Sequence, residues 1–101
     1  MTLHDLFATI DARADSDPQA SWTAKLLSQG PEKCAEKFGE EAVEAIIEAV
    51  KGDQARLASE AADVVYHLMV MLSARGVTWA AVEAELARRQ GTSGLEEKAA
   101  R

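Results

Sequence analysis

Between Leu57 and Leu72 the chain is apolar in nearly every helical direction, yet Glu60, Asp63 and His67 share one sector of that segment. At about 100° per residue, leucine, alanine, valine, methionine and Tyr66 surround the axis, and a helix that is apolar all round is a buried helix. A buried carboxylate is costly unless it is paired or bound to a metal. Two carboxylates one turn apart also repel each other, so positive charge is expected beside Glu60 and Asp63; Arg56 lies in line with them.

Composition supports helices throughout. Twenty of the 101 residues are alanine, against seven valines and three isoleucines, and alanine favours helices where β-branched residues favour strands. A chain of this length buries roughly two-thirds of its unfolded surface, which predicts one all-α domain over residues 1–101. Alanine-rich faces bury little area each, so the core is expected to be completed by a second copy in a dimeric helix bundle.

Local signals divide the chain. Thr2 and Asp5 form a capping-box pattern ahead of Leu3, Leu6, Phe7 and Ile10, opening a helix expected to end near Ala14. A proline-containing connector, Asp15 to Gln19, precedes a short helix from about Ser21 to Ser28, stopped by Gly30. Pro31 suits the first turn of a long helix to Lys51, closed by Gly52. Asp53 caps the next, to about Ala74, with Gly76 behind it, and Thr78 caps a last helix ending near Gln90. The tail from Gly91 to Arg101 is read as a loop with one terminal turn.

Several function classes are excluded. The uninterrupted apolar runs Val64–Tyr66 and Leu68–Leu72 fall far short of the ~20 residues of a bilayer span, and Met1–Asp5 lacks a basic segment before an apolar one. A cytoplasmic protein with no membrane partner is expected. Cys34 is the single cysteine, so neither an intrachain disulfide nor a cysteine zinc site is available. With 17 acidic against 11 basic residues, the chain lacks the basic surface that nucleic acid requires, and an anionic substrate would need a metal as intermediary.

Gly52 and Asp53 leave a short connection, so the two long helices should form an antiparallel hairpin. Glu44 lies eight residues before Gly52 and Glu60 eight after it. The pairs Glu41-x-x-Glu44 and Glu60-x-x-Asp63 therefore face each other at one height. Four oxygen ligands suit a hard cation, and for a phosphate-bearing substrate that is Mg²⁺ or Mn²⁺. A di-iron bundle would need Glu-x-x-His on two helices, which the chain lacks. His67 is read as a core histidine or a support behind the ligands. The opposite side of the first long helix, with Ala35, Ala42, Val43, Ile46, Ala49 and Val50, is read as its apolar face.

Glu40-Glu41-x-x-Glu44 followed by Glu60-x-x-Asp63 resembles the signature of the MazG-like all-α nucleoside triphosphate pyrophosphohydrolases. The setting narrows this: Ser21-Trp22-Thr23-Ala24-Lys25-Leu26-Leu27, Lys37-Phe38-Gly39-Glu40-Glu41-Ala42-Val43-Glu44, Glu60 to Val70, and Gly91-Thr92-Ser93-Gly94-Leu95-Glu96-Glu97-Lys98. Together these resemble the phosphoribosyl-ATP pyrophosphatase family of histidine biosynthesis over nearly the whole chain. Trp22 stands where tyrosine is expected, and Cys34 and Phe38 where aliphatic residues are commoner.

The resemblance implies Mg²⁺-dependent hydrolysis of 1-(5-phosphoribosyl)-ATP between its α and β phosphates, with Glu41, Glu44, Glu60 and Asp63 as metal ligands. It implies for Glu40 a second-metal or general-base role. Lys25, Lys33, Lys37, Arg88 and Arg89 are candidates to read the substrate's phosphates, Lys25 first, and Trp22 or Tyr66 to stack on adenine. The tail from Gly91 to Lys98 could order over the substrate. The competing readings are a house-cleaning pyrophosphohydrolase acting on noncanonical triphosphates, and a helical interaction module with an acidic docking stripe.

Overall fold

Thr2 opens the first helix as its spacing predicts: its hydroxyl accepts from the Asp5 amide, and the Asp5 carboxylate accepts from the Thr2 amide. In this computed structural model, which describes residues 1–91 and 94–100, the helices are α1 (Leu3–Ala12), α2 (Trp22–Ser28), α3 (Pro31–Lys51), α4 (Gln54–Ala74), α5 (Trp79–Arg89) and α6 (Gly94–Ala100). Among the described residues there is no strand. Asp53 and Thr78 accept at the starts of α4 and α5, as expected, and Ser21 does the same for α2.

Two boundaries differ from expectation. The first helix stops at Ala12 and tightens into a 3₁₀ turn over Arg13–Asp15, a common way for a helix end to satisfy its last carbonyls. Within the tail, Gly94–Ala100 is a helix of two turns where one was expected: Gly94 stands at its first position, where glycine is tolerated, and Leu95 to Ala100 are good helix formers. Thr92 and Ser93 of the tail motif lie outside the described residues.

Gly52 joins the long helices. Its φ of 80° ends α3 in the left-handed region, and its amide donates to the Glu48 and Ala49 carbonyls, a closure glycine accomplishes without a Cβ penalty. Nothing lies within 4 Å of where a Cβ would stand. Gly52→Ala should therefore cost only the left-handed strain, roughly 1–2 kcal/mol, lowering the denaturant midpoint while the hairpin keeps its pairing and its divalent-ion affinity.

The core gathers at the end of the hairpin away from Gly52. Phe7, Ile10, Leu26, Cys34, Met69, Val70 and Trp79 bury against one another, drawing on α1 to α5. The Cys34 thiol donates to the Leu26 carbonyl at 3.2 Å, and burial pushes it above the ordinary thiol value. Ser73 donates to Asp11, tying α4 to α1, and the Tyr66 and Thr23 hydroxyls pair, tying α4 to α2.

The turn half of the hairpin extends beyond this core in a molecule 46 Å long. Here the all-round burial expected of the Leu57–Leu72 segment fails. His67, Met69 and Val70 are buried, but Ala58, Ala61, Ala62 and Asp63 are exposed. On the acidic side of α3 Glu48 is buried and Glu41 half-buried while Glu40 and Glu44 stay exposed, and on the apolar side Ile46 is 60% and Val50 85% exposed. The apolar face identified in the sequence is real, but among the described residues no element of this single chain covers it. The run-length argument against a membrane span also needs correction: averaged over 18 residues, α4 reaches a mean hydropathy of 1.2 and is long enough to cross a membrane. Averaging absorbs the polar interruptions that break the runs.

Candidate metal centre

The register of the hairpin sets the site. Glu48 and Arg56 lie four residues either side of Gly52, Glu44 and Glu60 eight, Glu41 and Asp63 eleven, and Lys37 and His67 fifteen. Each falls opposite its counterpart, because residues spaced at three and four along both helices share the facing side. Carboxylate oxygens of Glu41, Glu60 and Asp63 come within 4.8 Å of one another. Glu44 is exposed and outside that group of three, but its charge acts on both Glu41 and Glu60.

This proximity is electrostatically unfavourable. The Glu41 side chain is only 13% exposed. Desolvation first, then the charges of Glu44 and Asp63, hold its carboxyl above the ordinary value, with Lys37 pulling the other way. Desolvation, Glu44, Asp63 and Glu48 raise Glu60 likewise, and Glu60 Oε2 is buried without a hydrogen bond. A buried oxygen with no donor, in a ring of oxygen-only groups, fits a hard divalent cation, which would supply the missing positive charge. The three clustered carboxylates are thus a group able to hold a metal ion.

Around them lie the other candidates. Glu40 is exposed, outside the cluster, with its carboxylate 3.5 Å from Lys37 Nζ, which also lies 3.7 Å from Glu41 Oε1. His67 Nε2 is 3.9 Å from Glu41 Oε1, and its Nδ1 is buried without a partner. Burial and the nearby Lys37 charge lower the His67 value despite Asp63 and Glu40, which keeps the ring neutral at neutral pH. Lys25 lies over the exposed Trp22 ring, 5.8 Å from its centroid. The two residues line a cleft of about 690 Å³ with Pro18, Ser21 and Gln29. A second cleft of about 210 Å³ runs from Trp22 past Lys33 and Lys37 to Glu40. Arg88 is engaged within α5, forking onto Glu85 at 2.6 to 3.2 Å. Arg88 and Arg89 together hold the Glu85 carboxyl down to about 2. Tyr66 is half-buried with its hydroxyl on Thr23, so it serves packing.

Glu48 was not singled out from the sequence as part of the site. Its signal was there: it follows Glu41 and Glu44 on the same helical stripe, opposite Arg56, whose guanidinium is 3.8 Å away.

Residues 3–90 match the family model described as phosphoribosyl-ATP pyrophosphohydrolase. The chain belongs to the phosphoribosyl-ATP pyrophosphohydrolase family. A protein of Cereibacter sphaeroides named phosphoribosyl-ATP pyrophosphatase is 74% identical over 99 residues, covering 98% of this chain and 96% of the relative. Proteins of the same name are 72% identical in Ruegeria pomeroyi, over 98% of this chain and 94% of the relative, and 70% identical in a Jannaschia species, over 98% and 97%. The matched span holds the whole hairpin, so the pyrophosphohydrolase family and the acidic cluster coincide in the same residues.

Proposed function

We propose that this chain hydrolyses 1-(5-phosphoribosyl)-ATP to 1-(5-phosphoribosyl)-AMP and pyrophosphate, the second step of histidine biosynthesis, with Mg²⁺ as the preferred ion and Mn²⁺ able to replace it. The observation that carries the reading is the Glu41, Glu60 and Asp63 cluster, with its donorless Glu60 oxygen, in a chain of this family. Glu41, Glu44, Glu60 and Asp63 are the ligands. Bound there, Mg²⁺ would neutralise phosphate charge and acidify a water.

Water adds across the α–β anhydride, its hydroxyl going to one phosphorus and its proton, in balance, to the bridging oxygen that leaves on the other. Glu40 takes up the proton in transit: its carboxylate is exposed, adjacent to Glu41 and steadied by Lys37. Lys37 also offsets phosphate charge, and Lys25 and Trp22 receive the nucleoside end of the substrate. Arg88, held by Glu85, would have to give up that partner to read a phosphate, so we assign the reading to the lysines. A cytoplasmic location suits a biosynthetic substrate.

Pyrophosphate release from phosphoribosyl-ATP, dUTP and dCTP, with and without Mg²⁺, tests the reading. Turnover confined to phosphoribosyl-ATP with Mg²⁺ supports it. Turnover of dUTP or dCTP alone would transfer the chain to house-cleaning, and failure to bind any divalent ion would favour a docking module.

The uncovered α3 face is the place for a second copy. Val43, Ile46, Ile47 and Val50 are all exposed on one stripe, beside the exposed alanines of α4, and apolar surface of this kind marks an interface. Sedimentation should report about twice the 10.9 kDa chain mass. Ile46→Glu, which inserts a charge into that stripe, should shift the mass toward one copy. A wild-type chain that stays monomeric at micromolar concentration refutes the dimer.

A further inference from the structure

Charge along the hairpin is ordered, and the two ends of the carboxylate cluster differ in kind. Toward Gly52, Arg56 faces Glu48: its Nη1 is 3.8 Å from Glu48 Oε2 and its Nε 3.9 Å from Asp53 Oδ2. Both distances exceed a hydrogen bond, and the Arg56 side chain is 72% exposed. Glu48 is buried, with Lys51 Nζ 3.9 Å from its Oε1, again too far to bond. A guanidinium and an ammonium thus stand at the turn end with their donors committed to no close acceptor. Toward the core, the cleft beside Glu40 presents Lys37 and Lys33 and then the Trp22 ring. Lys37 and Glu48 are separated by about 16 Å of helix, at roughly 1.5 Å per residue.

We propose that the substrate lies along the hairpin with one polarity, nucleoside toward Trp22 and terminal phosphates toward Gly52, and that Arg56 holds the departing pyrophosphate. The inference rests on the pyrophosphohydrolase reading and adds direction and a residue to it. A nucleoside offers a π face and needs a ring, which the Trp22 end provides. A diphosphate offers only charged oxygens, which a guanidinium fork binds through paired, charge-assisted hydrogen bonds. Because the Arg56 guanidinium stands only at ion-pair distance from Glu48 and Asp53, it can turn to phosphate without breaking a side-chain hydrogen bond. Arg56 stands one helical turn from Glu60 on the same face, so a diphosphate it grips remains next to the cluster.

Calorimetric titration in Mg²⁺ with inorganic pyrophosphate and, separately, with AMP tests this on the full chain. Arg56→Ala is expected to weaken pyrophosphate binding at least about fivefold and to leave AMP within about twofold, with Arg56→Lys between. Trp22→Ala should do the reverse. Melting curves without ligand identify any variant that is unfolded, and Arg56→Gln, which keeps most of the side chain, replaces Arg56→Ala in that case. If the wild type hydrolyses phosphoribosyl-ATP but the Arg56 variants bind pyrophosphate as tightly as it does, or lose AMP equally, the polarity is overturned and the activity stands. If the wild type neither binds pyrophosphate nor turns over phosphoribosyl-ATP, both fail together.

Discussion

Glu60→Gln is expected to leave a folded protein that has lost most of its turnover, by about 10–100-fold or more, the usual cost of spoiling one metal ligand or its support. The amide keeps the shape of the side chain and removes its charge. Glu60 is the member of the cluster with a buried oxygen that no donor satisfies, and it is pressed by Glu44, Asp63 and Glu48 together. Removing one of these repelling charges should also make the metal-free variant melt at or above the metal-free wild type, since a desolvated cluster of like charges opposes stability. Steady-state turnover and melting in EDTA measure the two effects. Near-normal turnover at modest Mg²⁺ would remove Glu60 from the ligand set, and a large fall in the EDTA melting temperature would make it a structural partner instead.

Magnesium should raise the wild-type melting temperature strongly, and more so at higher pH. An ion that binds only the folded state contributes about 2.7 kcal/mol at a hundredfold excess over Kd. For a domain near this size that corresponds to a shift on the order of 10–20 °C. The pH dependence follows from Glu41 and Glu60, whose carboxyls desolvation and neighbouring carboxylates raise above the ordinary value in the folded state. A carboxyl whose folded value is raised binds more protons folded than unfolded between those two values. The metal-free protein therefore gains stability from these groups as pH falls through that window and loses it as pH rises. Protons and metal compete for the same oxygens, so the Mg²⁺-induced shift should be full at about pH 8 and should shrink toward about pH 5. Melting curves across pH with Mg²⁺ and with EDTA provide the check. A shift that is constant across that range, or absent, would mean the ion binds elsewhere or not at all.

Much of this was legible in the chain itself, because the controlling physics is local. Capping by Thr2, Asp53 and Thr78 depends on side chains reaching amides two or three residues ahead, and the left-handed closure at Gly52 depends on a missing Cβ. With the turn settled, antiparallel register follows by counting from Gly52, and so does the meeting of Glu41, Glu60 and Asp63, which Glu44 joins only from the exposed side. Periodicity also showed which residues share a stripe, but not what each stripe would face. Only the tertiary structure decided that Glu41 is half-buried while Glu40 and Glu44 stay exposed, that Glu48 is buried opposite Arg56, and that Val43, Ile46, Ile47 and Val50 lie open. The core of the single chain forms at the far end, where α1, α2 and α5 reach the hairpin, and they do not extend to its turn half. Arg88 was equally ambiguous in sequence, since a cation near a helix end reads alike whether it meets a phosphate or, as here, Glu85 three residues back in the same helix. Side-chain partners of that kind are set by which surfaces the packing brings together, and that is information a one-dimensional pattern does not carry.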